Sequence, residues 1–138
     1  LMEIGDFFTI YQASVWAKDV KAIIMLYDEQ AVIFDMWDKG FIINSSEWNK
    51  SIEDWLGSLG EEKVKVEFEM INIHQSLDAA FASALISYQA ISKEGLVLRS
   101  MKNRISLGFS KFEEGWKVVH QHTSAPIDSN GLSAILDI

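Results

Sequence analysis

The order of hydrophobic periods along the chain predicts an α+β domain in which helices cover one face of a bent antiparallel sheet. Apolar residues recur at helical spacing in three stretches before Lys63 and in none after it. From Lys63 onward apolar and polar residues alternate with period two in long runs separated by short polar turns. Helices gathered first and a meander gathered last is the α+β pattern. The length of 138 residues, 49% of them hydrophobic, closes one core and is short for two, and one proline and eight glycines leave no evident linker. The predicted boundaries are one domain over residues 2–126 and a C-terminal tail over 127–138. Leu1 stands ahead of Met2, which reads as the natural start.

The first helix is expected from Ile4, Phe7, Phe8, Tyr11 and Val15 and ends near Trp16 and Ala17. Asp19 is placed to cap a second, in which Val20, Ile23, Ile24 and Tyr27 share a face before the polar break Asp28-Glu29-Gln30. Ala31 to Met36 reads as a strand with Asp35 near its end, and Gly40-Phe41-Ile42-Ile43 as a short returning strand. Ser45 or Ser46 is expected to cap a third helix with the stripe Trp48, Ile52, Trp55, Leu56 and Leu59. Val64, Val66, Phe68 and Met70 then share one face of a strand, and the jump of apolar parity to Ile71 and Ile73 predicts a bulge. Further strands are expected over Ala79–Ser92, Leu96–Phe112 and Trp116–Ser124. The tail after Pro126 is weakly apolar in Leu132, Ile135 and Leu136 and is expected to dock on a partner subunit or fray.

Composition narrows the function. Twelve basic against twenty acidic residues give a net charge of −8, and the basic ones do not cluster, which argues against nucleic acid and membrane surfaces as partners. The absence of cysteine excludes disulfides, thiolate metal sites and thiol nucleophiles. An acidic N-terminal stretch, and no apolar run of membrane-spanning length, make cytoplasmic the expected location.

Asp35 follows Ala31 and Ile33 on one strand face and is flanked by Phe34, Met36 and Trp37. A carboxyl there is partly desolvated, so its pKa is biased upward toward the range of a general acid or base; the plain alternative is a solvated turn cap. Tyr11 lies on the buried stripe of the first helix, either as a core ring or as a hydrogen-bond donor to a ligand oxygen. His120 and His122 share strand parity with Trp116, Val118 and Ser124, which points both imidazoles inward as pocket-lining groups or as satisfied structural histidines. Their spacing fits no standard zinc motif, so no metal is expected. Arg104 has the parity opposite to Ile105, Leu107 and Phe109, and reaches either a ligand carboxylate or a surface ion pair. Trp16, Trp37 and Trp55, with Trp48, are expected as pocket wall or as core packing.

The residues Arg104-Ile105-Ser106-Leu107-Gly108-Phe109 and Gly115-Trp116-Lys117-Val118-Val119-His120-Gln121-His122-Thr123-Ser124-Ala125-Pro126 resemble the closing hairpin of SnoaL-like proteins of the nuclear-transport-factor-2-like superfamily. An Arg-led strand, a Gly-Trp turn and a His-x-His-x-Ser-x-Pro strand recur there, and the association domain of calmodulin-dependent kinase II looks similar. Lys18 to Ile23 and Tyr27 to Asp35 are similar to the family's second helix and first strand. The resemblance implies a cone-like fold with a strongly curved sheet around one pocket. A narrower resemblance, to the ketosteroid isomerases of the superfamily, implies an oxyanion-hole tyrosine at Tyr11 and an aspartate general base at Asp35. Their second oxyanion donor, an acid, has no counterpart in Ser106-Leu107-Gly108-Phe109.

Together these readings predict a small-molecule pocket protein, forming a homodimer through the outer sheet face and needing no cofactor. As an enzyme it would act on a small apolar carbonyl or enol compound, with Asp35, Tyr11 and His122 catalytic, and His120, Trp16, Trp37, Trp55 and Arg104 binding the ligand. The alternative is a non-catalytic ligand-binding or oligomerisation module.

Overall fold

A computed structural model describes residues 2–138; Leu1, read above as preceding the natural start, lies outside the described residues. Its elements run α1 (Asp6–Ala17), α2 (Val20–Ile24), β1 (Tyr27–Phe34), α3 (Ser45–Gly57), β2 (Lys63–Gln75), β3 (Ala79–Ile91), β4 (Val97–Phe112) and β5 (Gly115–Ser124). The five strands form one curved sheet in the order β1-β5-β4-β3-β2, antiparallel except for the β1–β5 pair.

The predicted helices form for the expected reasons. Asp19 caps α2 by accepting from the Ala22 N–H at 3.1 Å, whereas α3 is capped by Asn44, which accepts from the Glu47 N–H at 2.8 Å, instead of by Ser45 or Ser46. β1 starts earlier than expected, at Tyr27. The polar run Asp28-Glu29-Gln30 is accommodated in the strand because β1 is an edge and its register with β5 shifts between Tyr27 and Val32, which leaves these side chains toward water. The stretch around Gly40 to Ile43 contributes only a bridge between Ile42 and Ile33 instead of a strand.

α1 lies in the concave face of the sheet. Phe7 is fully buried, with ring centroids 5.6 Å from Tyr11 and 6.0 Å from Phe109, while Phe8 packs edge-on against Phe68 at 4.9 Å. α3 adds Ile52 and Leu56, and its Trp48 meets Tyr27 edge-on at 5.3 Å.

Of the four register shifts in the sheet, two bear on the site. The first interrupts β2 between Glu69 and Asn72, with Met70 at φ 56, where the apolar parity jumps. The second falls in β5: Phe109 pairs with Val118 but Gly108 pairs with His120, leaving Val119 as the extra residue. One extra residue inverts the facing of everything after it.

β4 extends past β5, and the tail covers the edge this exposes. The Lys102 N–H donates to the Leu136 carbonyl at 2.7 Å, and Asp137 bridges to Lys102. The segment therefore turns back on its own chain, where it satisfies a strand edge that would otherwise face water unpaired.

Candidate functional site

Between α1, α3, the loop after β1 and the concave sheet face lies a cavity of about 530 Å³. That volume falls within the roughly 300–1,000 Å³ typical of small-molecule sites. Its aromatic wall is Trp37, Trp48 and Trp55 with Tyr11 and Tyr88; its polar groups include Asp35, Asn103, Gln121 and Thr123.

Asp35 continues the inward parity of Ala31 and Ile33 beyond the end of β1. The loop behind it is held by the Asp35 N–H donating to the Gly40 carbonyl at 2.9 Å, and Gly40, at φ 88, takes a conformation that favours glycine. Burial holds the Asp35 carboxyl above the ordinary carboxylate range. The Thr123 hydroxyl, donating to Asp35 Oδ1 at 3.3 Å, and the backbone N–H of Met36 oppose that shift, while Asp38 adds to it. Thr123 is fixed in turn, since its oxygen accepts from the Met36 N–H at 3.1 Å.

The tyrosines form the other polar element. The Tyr11 and Tyr88 hydroxyls share a hydrogen bond at 3.2 Å, and the buried Tyr27 hydroxyl donates to Gln121 Oε1. Burial pushes the Tyr11 hydroxyl up to about 12, against the lowering effect of its bond to Tyr88, and raises Tyr27 and Tyr88 as well. All three are neutral donors at physiological pH. The Tyr11–Tyr88 pair holds two hydroxyl hydrogens and spends one on the bond between them, so one remains for a third group.

Four of the expected site residues, Tyr11, Asp35, Trp37 and Trp55, line the cavity. The other four lie elsewhere. The bulge at Val119 turns His120 and His122 to the outer sheet face, where both pack edge-on against Phe34 at 5.0 and 5.6 Å. The same inversion brings Gln121 and Thr123 inward in their place. Arg104 also faces outward, donating from Nε to Ser124 Oγ at 3.1 Å. The arginine bordering the cavity is Arg99, bound to Glu62 at 2.6 Å. Trp16 sits off the buried stripe of α1, 40% exposed beneath the Lys63 ammonium.

The reading from sequence passed over Tyr88 and Asn103. Both carry a usable signal: Tyr88 shares parity with Ala82, Ala84 and Ile86, and Asn103 with Ile105, Leu107 and Phe109, so each is a polar group in an apolar phase. Among the described residues no three His, Asp or Glu side chains are grouped so as to hold a metal ion, and no helix is long and apolar enough to cross a membrane.

Comparison with known proteins agrees with this architecture. No curated protein sequence matches the chain. A nuclear-transport-factor-2-like protein of unknown function from Pseudomonas putida superposes with a TM-score of 0.84 at 22% identity, covering 98% of this chain and 92% of that one. A putative calcium/calmodulin-dependent protein kinase II association domain from Xanthomonas campestris gives 0.74 at 14% identity over 98% and 87%. A putative aromatic ring hydroxylase from Novosphingobium aromaticivorans gives 0.67 at 19% over 97% and 92%. At these identities the likenesses establish the fold alone. The model of the SnoaL-like domain matches residues 4–128, and the chain therefore belongs to the SnoaL-like domain family.

Proposed function

We propose that this protein binds a small, largely apolar molecule in its cavity and acts on it by acid–base chemistry without a cofactor. One observation carries the reading: a half-buried carboxyl with a raised pKa, Asp35, opens onto the same cavity as a buried tyrosine pair with one hydroxyl hydrogen to spare. A carbonyl or enol compound fits this arrangement. Asp35 takes a proton from the carbon beside the carbonyl, and the Tyr11–Tyr88 pair donates to the oxygen as negative charge develops on it. Isomerisation and cyclisation share that step, and in hydrolysis Asp35 takes the proton from an attacking water instead. His122 has no part in it, being on the outer face.

Conversion of compounds from a metabolite mixture, followed by mass spectrometry with wild type and Asp35→Asn in parallel, tests the reading. Asparagine retains an acceptor for Thr123, so the variant is expected to fold and bind but not convert. Binding without any Asp35-dependent conversion refutes catalysis and leaves a ligand-binding module.

The outer sheet face supports a second reading. Phe34 and Phe81 lie there 43% and 57% exposed, and all three histidines of the chain share the surface, His74 stacking on Phe81 at 4.8 Å. We propose that this face joins two copies into a homodimer, a role independent of the cavity.

A further inference from the structure

Only two buried side-chain atoms among the described residues lack a hydrogen-bond partner, Asn103 Oδ1 and Trp48 Nε1, and both residues line the large cavity. Trp48 also borders a separate pocket of about 130 Å³, so Asn103 is the more telling of the two. Asn103 is 2% exposed, and the cross-strand neighbour opposite it is Ile86. In this phase of β4 the following residues are Ile105, Leu107 and Phe109, all buried. An amide oxygen in such a wall is desolvated without compensation, and a leucine would fill the site at no such cost. The unpaired amide is accounted for once a bound molecule completes it.

We infer that Asn103 selects the ligand by accepting a hydrogen bond from a hydroxyl or N–H group, with Trp48 Nε1 offering a donor to a ligand acceptor. The inference rests on the cavity being a small-molecule site and narrows what enters it. The ligand carries a neutral group that can donate, such as a phenol, alcohol, enol or amide. A hydrocarbon or a bare ketone leaves Asn103 Oδ1 unpaired, and a carboxylate lacks the hydrogen and meets Asp35 and Asp38 in the same lining, where Arg99 is already paired with Glu62.

Calorimetry with naphthol and its methyl ether tests this, because the two differ in the hydrogen Asn103 would accept while sharing a ring that suits the tryptophan walls. Wild type is expected to bind naphthol at least about tenfold more tightly than the ether. Asn103→Leu is expected to bind both alike and, without ligand, to melt several degrees higher because the unpaired amide is gone. Equal binding of the two probes by wild type overturns the inference and leaves the functional proposal standing. A preference for naphthol that survives in Asn103→Leu also overturns it. Should Asn103→Leu fail to fold, the wild-type comparison decides alone. If neither probe binds, the inference is overturned, and the functional proposal is decided separately by the Asp35-dependent conversion.

Discussion

Raising the pH tests the interior directly, because all three tyrosines of the chain, Tyr11, Tyr27 and Tyr88, belong to it. Each has its pKa raised by burial, Tyr11 from 10.0 to about 12. A phenol whose folded pKa exceeds its unfolded value contributes stability that is complete below the unfolded pKa and is lost as pH rises through the folded one. The unfolded chain starts to release these protons near pH 10 and the folded chain does not. Each tyrosine then costs about 1.4 kcal/mol of stability per pH unit, and the three together about 4 kcal/mol per unit. Tyr11 alone accounts for roughly 2.7 kcal/mol by the time its folded pKa is reached.

Set against a stability of about 5–15 kcal/mol for a domain, that slope brings the chain to unfolding between about one and four pH units above 10. Phenolate absorbance and far-ultraviolet circular dichroism, followed in one stepwise titration, are expected to stay flat through pH 10 and then change together in one transition. Tyr11→Phe is expected to reduce the slope of stability against pH by about a third, in proportion to the protons removed. A third of the phenolate absorbance appearing near pH 10 with the dichroism intact would mean that one tyrosine is open to water. The three tyrosines would then not share a closed interior.

Two further outcomes are expected. Because burial raises the Asp35 pKa, ionised Asp35 is a cost to the fold that grows as pH rises through its folded value. Asp35→Asn is therefore expected to be more stable than wild type near neutral pH and to lose that advantage as pH falls toward the ordinary carboxylate range, measured by urea unfolding at each pH. Replacing His120 and His122 together by alanine is expected to leave ligand binding in the cavity unchanged and to weaken self-association, read by light scattering across a dilution series. Loss of cavity binding with the dimer intact would contradict the placement of the imidazoles.

The fold was largely legible because its signals are local. Helical stripes, the Asp19 cap and the parity jump at Met70 each need only a few neighbouring residues, and each appears where the spacing places it. Asp35 was legible for the same reason, since Ala31, Ile33 and Asp35 follow one alternation into the cavity. The start of β1 was not, because Asp28-Glu29-Gln30 reads as a break unless the strand is known to lie at the sheet edge, and edge position is a property of the whole topology. The pairing of Tyr11 with Tyr88, 77 residues apart, is likewise invisible to any local window.

The histidines show how one residue redirects a site. Strict alternation from Trp116 places His120 and His122 inward and Gln121 and Thr123 outward, and the structure has the reverse. The adjacent apolar pair Val118-Val119 was the available hint, since two such residues in succession cannot both point inward along a regular strand. With Val119 as the extra residue, Val118 keeps its place in the core, fully buried, while the strand beyond it turns over. The His-x-His-x-Ser motif that carries the family resemblance consequently lies on the outer face, and the intervening residues Gln121 and Thr123 reach the cavity. Thr123 holds Asp35 and Gln121 holds Tyr27, so the interleaved positions connect to the proposed chemistry while the motif connects to the surface proposed for assembly. A match to the motif therefore supports the fold and that face, and the reaction has to be argued from the residues between its letters.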